Sequence, residues 1–574
     1  MPEKRQPASL LSLCHSRVAA DVIETCRLLQ SIAQETSATQ ALNFTRNCVR
    51  PAWISSLPGA IRSKILHDAT NLISTSFSET TSVGAGPIPL YLLALLLSPD
   101  IKHLKVDLCC YYGCSHQSAL LKLLASEGRG LESLELARSA LLRLDRNLLH
   151  AALVAAPNLK CLRLRNIATD GILEVIGAAC PNLTVLDVSH SRQVTNAGIR
   201  QLLYQVELRD KSSKRHSAAS LIKKKLSGWS RIKHLAKSLQ ERLLHKGDLA
   251  RKEVPPLLLE YCEKLSPMCR TLRVLNIANT GVNGEGIIFA LNNVPTLESL
   301  GEYCHIGRAM EIIDDNHIDN LRFDLKTVRC SRTTLRRLQL ISKLCPKLDK
   351  ITINEPNHSP SALYLLPSSI TSLALQNIPT ETHWISGLYE FLNTQGANYT
   401  QLTLRFYPGE YLATLDVSKI FNSCPNLKML IVDGAELSWG ERSKIVLNKL
   451  VKVQLGKIVS SETLLRIVES SPRLHTLHVH SVPNLTSKTF TAITSVPNQI
   501  ECFYIYEAVN DLTESHVLHF LRTWKSLKQL GNLGNWKLSP AQIANVQSYL
   551  KGDNFQIQLN AGSHWFCSKC FPLP

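Results

Sequence analysis

The chain has 574 residues, 17 cysteines and a formal net charge of +18 at neutral pH. That length far exceeds what a stable core needs, and no region is poor enough in apolar residues to imply global disorder. Cysteines without regular spacing, and with no secretory leader expected ahead of them, read as reduced thiols in a cytoplasmic or nuclear protein.

The charge is uneven. From Arg209 to Lys252 there are fourteen basic and three acidic residues, so eleven of the eighteen net positive charges fall in that stretch. A nucleic-acid surface over the whole molecule is therefore not implied.

In chain order, the first signal is Ser9-Leu10-x-x-x-Cys14-x-x-x-Val18. Its apolar residues recur every four positions, which lines them along one helical stripe. Leu11, Leu13 and Val22 widen that surface, and Pro7 or Ser9 suits a helix start. The second signal is Leu57-Pro58-x-x-Ile61-x-x-x-Ile65, led by Trp53 and Ile54, with Pro58 suited to a first helical turn. Helices capping the open end of a repeat array would account for both, since such arrays need caps. Ile88 to Leu97 is about half a membrane span and begins beside Pro87 and Pro89, so it reads as a buried helix.

From about residue 101 a repeat dominates. Leu131-x-x-Leu134-x-Leu136, Leu159-x-x-Leu162-x-Leu164, Leu183-x-x-Leu186-x-Val188 and Leu272-x-x-Leu275-x-Ile277 are clear copies. Ile370-x-x-Leu373-x-Leu375, Leu427-x-x-Leu430-x-Val432 and Leu474-x-x-Leu477-x-Val479 follow, with degenerate copies at Ile500 to Ile505 and Phe555 to Leu559. The period is that of leucine-rich repeats, about 20–29 residues. Each copy alternates like a half-buried strand, and stretches such as Gly171 to Cys180 read as the helices between. The fold class expected is α/β: a leucine-rich-repeat solenoid, with a curved parallel sheet and outer helices, behind a helical cap. Cys180-Pro181, Cys345-Pro346 and Cys424-Pro425 should each end a helix just before a strand, with the cysteine as a small buried hydrophobe.

The expected organisation is a helical region over 1–100, repeats over 101–205, a basic insert over 206–256, repeats over 257–560 and a tail over 561–574. Within the insert, Ile222, Leu226, Trp229, Ile232, Leu239 and Leu243 fall near helical spacing opposite lysines and arginines. In the tail, His564, Cys567 and Cys570 have metal-like spacing but supply three ligands where structural zinc normally takes four. No metal or cofactor is expected.

The variable residues of the strands should line the inner curve. They include Glu135, Arg163, Arg165, Asp187, Asn276 and Thr403. Arg405, Asp433, His478, His480, Tyr504 and Tyr506 are the expected substrate contacts, because Tyr combines large contact area with a polar tip. No phosphate-binding glycine loop, HExxH or GxSxG is present, so catalysis is not expected.

The first motif resembles the elongin-binding box, and the second resembles the cullin-2 box, apolar-Pro-x-x-apolar-x-x-x-apolar. In that order, ahead of leucine-rich repeats, they make the chain similar to Zyg-eleven-like substrate receptors of cullin-2 ubiquitin ligases, without an armadillo section. The resemblance implies that Leu10, Cys14 and Val18 bind elongin C, which carries elongin B. It also implies that Leu57, Pro58, Ile61 and Ile65 bind cullin-2, and that the solenoid captures an unidentified substrate protein. Gly59 and Ala60 depart from the cullin-5 pattern. Leu57 to Leu66 also resembles the start of an F-box, which would pair the chain with Skp-one and cullin-1, although residues 67–87 are Ser/Thr/Gly-rich instead. A third reading is a repeat scaffold whose Lys223, Lys224 and Lys225 bind phosphates or an anionic membrane.

Overall fold

The computed structural model describes residues 4, 9–79, 88–107, 114–137, 144–208 and 261–560, apart from 317–320, 357–358, 410–411, 441–444, 509–512, 532 and 537. The basic stretch 209–260 and the tail 561–574, with the expectations placed on them, lie outside the described residues.

Among the described residues, the α-helices ahead of the repeats are α1 (Leu10–Glu35), α2 (Ala38–Phe44), α3 (Arg50–Ser56), α4 (Gly59–Glu79) and α5 (Ile88–Leu96). Ser9 starts α1 as its N-cap, its hydroxyl accepting from the Ser12 amide at 3.1 Å. His15, Ala19, Val22, Cys26 and Leu29 recur at three- and four-residue steps and are buried, and α1 packs on α4 and α5. The apolar run Leu90 to Leu97 is buried throughout, as its composition requires. Among the described residues no helix is long and apolar enough to cross a membrane.

The first strands are β1 (His103–Asp107), β2 (Ser133–Ala137), β3 (Cys161–Arg163) and β4 (Val185–Asp187). Next come β5 (Tyr204–Leu208), β6 (Tyr261–Leu265), β7 (Val274–Asn276), β8 (Thr327–Ser331), β9 (Lys350–Asn354), β10 (Ser372–Ile378) and β11 (Gln401–Phe406). The rest are β12 (Ala413–Asp416), β13 (Met429–Ser438), β14 (Lys452–Val459), β15 (Thr476–Val482), β16 (Cys502–Ala508), β17 (Gln529–Gly531) and β18 (Gln558–Asn560). β1, β2, β3, β4 and β7 form one parallel sheet, and β8 to β18 form another, with β12 paired to the side of β13. Ser299 bridges in parallel to both Val274 and Thr327, so the two sheets run on as one ladder. This is a leucine-rich-repeat solenoid.

The repeat leucines share one register row. Leu134 pairs with Leu162, Leu162 with Leu186 and Leu186 with Leu275, and each is 0–1% exposed. One-residue alternation puts that row inward and its neighbours on the opposite face. Helices α6 (Cys114–Glu127), α7 (Arg146–Val154), α8 (Asp170–Ala179) and α9 (Asn196–Leu203) stack on one another outside the strands. Cys180, Cys345 and Cys424 are the C-caps of their helices and are fully buried. Burial pushes each thiol up to about 12.

The excursion is a unit of its own, Tyr204–Ser266. β5 and β6 pair antiparallel, from Tyr204 with Leu265 to Leu208 with Tyr261. The unit runs past residue 256, where the charge reading ended the insert: residues 261–265 form β6, and the next strand of the parallel ladder is β7, from Val274. Charge composition marks the basic centre of such an excursion but not the paired strands at its base.

Candidate functional site

The two amino-terminal motifs sit on the helices that close the first turn of the solenoid. With the inward stripe of α1 buried, its flank is left in solvent. Leu10 is 77% exposed, Leu11 61% and Leu13 56%. Cys14 is exposed and Val18 half-buried. Capping alone does not explain three large exposed leucines within one helical turn. Val22 departs from expectation: it is fully buried, because it falls three residues after Ala19 on the inward stripe.

The second motif spans a helix break. Leu57 ends α3 in an extended conformation, as a residue before proline must. The Pro58 carbonyl then accepts from the Arg62 amide at 3.0 Å, opening α4. Leu57 and Ile61 are half-buried and Pro58 is exposed. Ile65 is 0% exposed and belongs to the chain's own core, so the exposed part of this motif is Leu57, Pro58 and Ile61. The four-residue pattern could not separate a docking position from a packing one, since both lie along the same stripe.

Arg62, also buried, fixes that break in place. Its guanidinium donates to the carbonyls of Ile54 at 2.7 Å and Leu57 at 2.6 Å. It also donates to Ser98 Oγ at 3.2 Å and to the Asp100 carboxylate. Gly59 allows the approach, because a Cβ there would lie 2.6 Å from Asp100 Cβ. A second tie runs through Arg50, which donates to both oxygens of Glu127 at 3.1 and 2.7 Å and to the Leu97 carbonyl at 2.8 Å. The second motif is thus presented from helices anchored to the first repeats, and the first from α1, packed on α4 and α5. Sequence reasoning missed the two arginines, because apart from the nearby Ile54 and Leu57 carbonyls their partners lie 36 or more residues away.

On the sheet's inner face the first half is charge-paired. Glu135 lies between Lys105 at 2.8 Å and Arg163 at 3.2 Å, and Asp187 meets Arg165 at 2.7 Å. In the second half, Arg405 and Asp433 are register partners and half-buried. Burial lowers the Arg405 guanidinium and Asp433 opposes that.

The aromatic end differs from expectation. Tyr504 and Tyr506 are each 4% exposed and His478 is 1% exposed, so none offers open contact area. Their rings pack together, with centroids 4.6 Å apart for His478 and Tyr504 and 5.9 Å for Tyr504 and Tyr506. His478 Nε2 lies 3.3 Å from Cys502 Sγ. The Tyr504 ring lies over Gly531, whose missing side chain makes the room. His480 is half-buried, 4.0 Å from Glu507. Large side chains on neighbouring strands cover one another, which residue type alone does not reveal.

No protein-family model matches the chain, and no curated protein matches its sequence. Solved structures do match in part. The yeast Rad7 and Elc1 complex structure is 13% identical, with 88% of this chain and 96% of that one covered and a TM-score of 0.39. A TLR13–ssRNA13 complex is 12% identical with a TM-score of 0.30; 75% of this chain matches, spanning 61% of the TLR13 chain. The leucine-rich-repeat protein LegL7 of Legionella pneumophila is 12% identical, covering 70% of this chain and 92% of its own, with a TM-score of 0.25.

Proposed function

We propose that the chain is the substrate-recognition adaptor of a cullin-2 ubiquitin ligase, a non-catalytic subunit working in the cytoplasm or nucleus. The observation that carries this reading is the exposure of Leu10, Leu11, Leu13 and Cys14 on a helix whose other face is already buried. Leu10, Cys14 and Val18 seat on elongin C, with elongin B behind it. Leu57, Pro58 and Ile61 add the contact that selects cullin-2, held in place by Arg62. The solenoid holds the substrate protein beside the activated ubiquitin, turning a bimolecular encounter into a local one.

The test is co-purification with elongins B and C. The wild-type chain brings both down. Leu10→Asp with Cys14→Asp loses them while the circular dichroism spectrum stays unchanged, because both side chains are solvent-exposed. Loss of a buried interface anchor costs about 2 kcal/mol or more, roughly a thirtyfold loss of affinity. Leu57→Asp with Ile61→Asp retains elongins and weakens cullin-2. A wild-type chain that carries no elongin overturns the reading, and one that carries Skp-one replaces it with the F-box alternative.

A further inference from the structure

A cleft of about 1320 Å³ opens on the loop edge of the first repeats, beside the strands β3, β4 and β7. Its floor includes Ile167, Ala168 and Ile172, and its rim carries Arg146, His190 and Arg192. Among the described residues none that lines it is acidic. Two carboxylates flank the lining in sequence: Asp145, beside Arg146, accepts from the Asn147 and Leu148 amides at 2.9 and 3.2 Å, and Asp170 accepts from the Thr195 amide and hydroxyl at 2.7 Å each. Among the described residues neither Arg146 nor Arg192 is within salt-bridge distance of a carboxylate, in contrast to Arg163 and Arg165 on the adjacent sheet. Arg146 donates to the Gln193 side-chain oxygen at 3.3 Å.

The rim is also built from a repeated turn. Asn166, His190 and Asn279 hold the same left-handed turn in three successive rungs, with φ of 61°, 62° and 56°. The turns are stacked: the Asn166 amide donates to the Ser189 carbonyl at 3.1 Å, and the His190 amide to the Ala278 carbonyl at 2.8 Å. Asparagine is at home in that conformation, and histidine between two asparagines places an imidazole on the rim.

We infer that this cleft binds an anionic peptide segment, one whose carboxylate or phosphate side chains meet Arg146 and Arg192. This deepens the substrate-receptor reading and rests on it for the claim that the segment belongs to a substrate. The volume exceeds the roughly 300–1,000 Å³ of small-molecule sites, and rungs about 4.8 Å apart offer an extended chain successive contacts. Guanidinium forks match carboxylate and phosphate geometry. Among the described residues the lining has no aromatic side chain, and so none of the stacking platforms that single-stranded nucleic acids use.

The experiment uses the full chain without elongins and reads fluorescence anisotropy. Four probes are compared: a labelled twelve-residue Glu/Gly peptide, its Gln/Gly counterpart, a phosphoserine/Gly counterpart and an oligo(U) of matched length. The acidic or the phosphorylated peptide binds, and the tighter of the two identifies the anion. The Gln/Gly peptide does not bind, and affinity falls as salt is raised from about 50 to 200 mM. Arg146→Glu with Arg192→Glu lowers affinity at least tenfold with an unchanged circular dichroism spectrum. Arg129→Glu, outside the cleft, leaves it unaltered.

Equal binding of the Gln/Gly peptide, undiminished binding by the double variant, or arginine-dependent preference for oligo(U) overturns the proposal. Elongin co-purification is read separately. Peptide binding without elongin retains the cleft and removes the ligase reading, whereas elongin without peptide binding removes the cleft alone.

Discussion

At the scale of single residues, the helix ends before the strands show how the repeat tolerates substitution. Cys180, Cys345 and Cys424 fill one recurring position, and Ser471 fills the same position in a later repeat, ahead of Pro472. Ser471 is fully buried, and among the described residues its hydroxyl has no hydrogen-bond partner. A buried hydroxyl left unpaired costs about 1–3 kcal/mol, whereas a thiol behaves there as a small hydrophobe. Ser471→Cys is therefore expected to raise the midpoint of urea unfolding, by about 1 kcal/mol at unchanged slope. The pattern was legible in the Cys-Pro pairs; Ser471-Pro472 escaped it because serine does not look like a core residue.

At the scale of elements, the cap depends on Arg62 more than on either motif. Removing its side chain leaves the Ile54 and Leu57 carbonyls without their donor and takes a buried cation from Asp100. Loss of such a network costs about 2–4 kcal/mol. Arg62→Ala should destabilise the cap by that order and expose its backbone amides to faster hydrogen exchange. Arg62→Lys, with one compact head in place of a fork, should recover only part. Under the adaptor reading proposed above, cullin-2 binding should fall while elongin binding persists, because Ser9 and the buried stripe hold α1 by other means. Elongin retention lost in Arg62→Ala would show that the two motifs are one structural unit.

The same scale separates what the motif spacing could convey. In the first motif, Leu10 and Cys14 are exposed and Val18, at the next step of the same period, is half-buried. In the second, Ile65 obeys the same period and turns inward, since α4 packs its mid-length against α1 and α5. Spacing reports which side chains share a face, and only the neighbouring helix decides whether that face is covered.

At the scale of the whole molecule, charge rows cross the first strands as the leucine rows do. Glu132 is met by Lys160 at 2.7 Å and Lys102 at 2.9 Å. The hydrogen bond from Lys160, then that from Lys102, holds its carboxyl down to about 2, against an ordinary value of 4.5. A carboxylate with a lowered folded pKa stabilises above its unfolded pKa and loses that contribution as pH falls through the folded one. The urea midpoint of the wild type should therefore exceed that of Glu132→Gln above about pH 4.5, and the gap should close as pH approaches 2. A gap that persists below pH 2, or widens there, would refute the assignment.

The solenoid itself was determined by the sequence: leucines at a fixed offset in every repeat must stack, because no single repeat can bury its own apolar face. Rungs carrying Val328, Ile351 or Val453 in place of leucine escaped the pattern yet sit in the same sheet, since any branched apolar side chain fills that slot. Exposure was decided only in three dimensions. Whether Leu10, Ile65, Tyr504 or Arg146 meets solvent depends on side chains from other elements, and no local pattern carries that information. The aromatic inner face, expected to be open, is packed shut, while Arg146 and Arg192, unremarked in the sequence, stand at a cleft with no carboxylate within salt-bridge distance among the described residues. Periodicity sets which residues travel together along a strand or helix, and tertiary contact sets which of those faces remains for a partner.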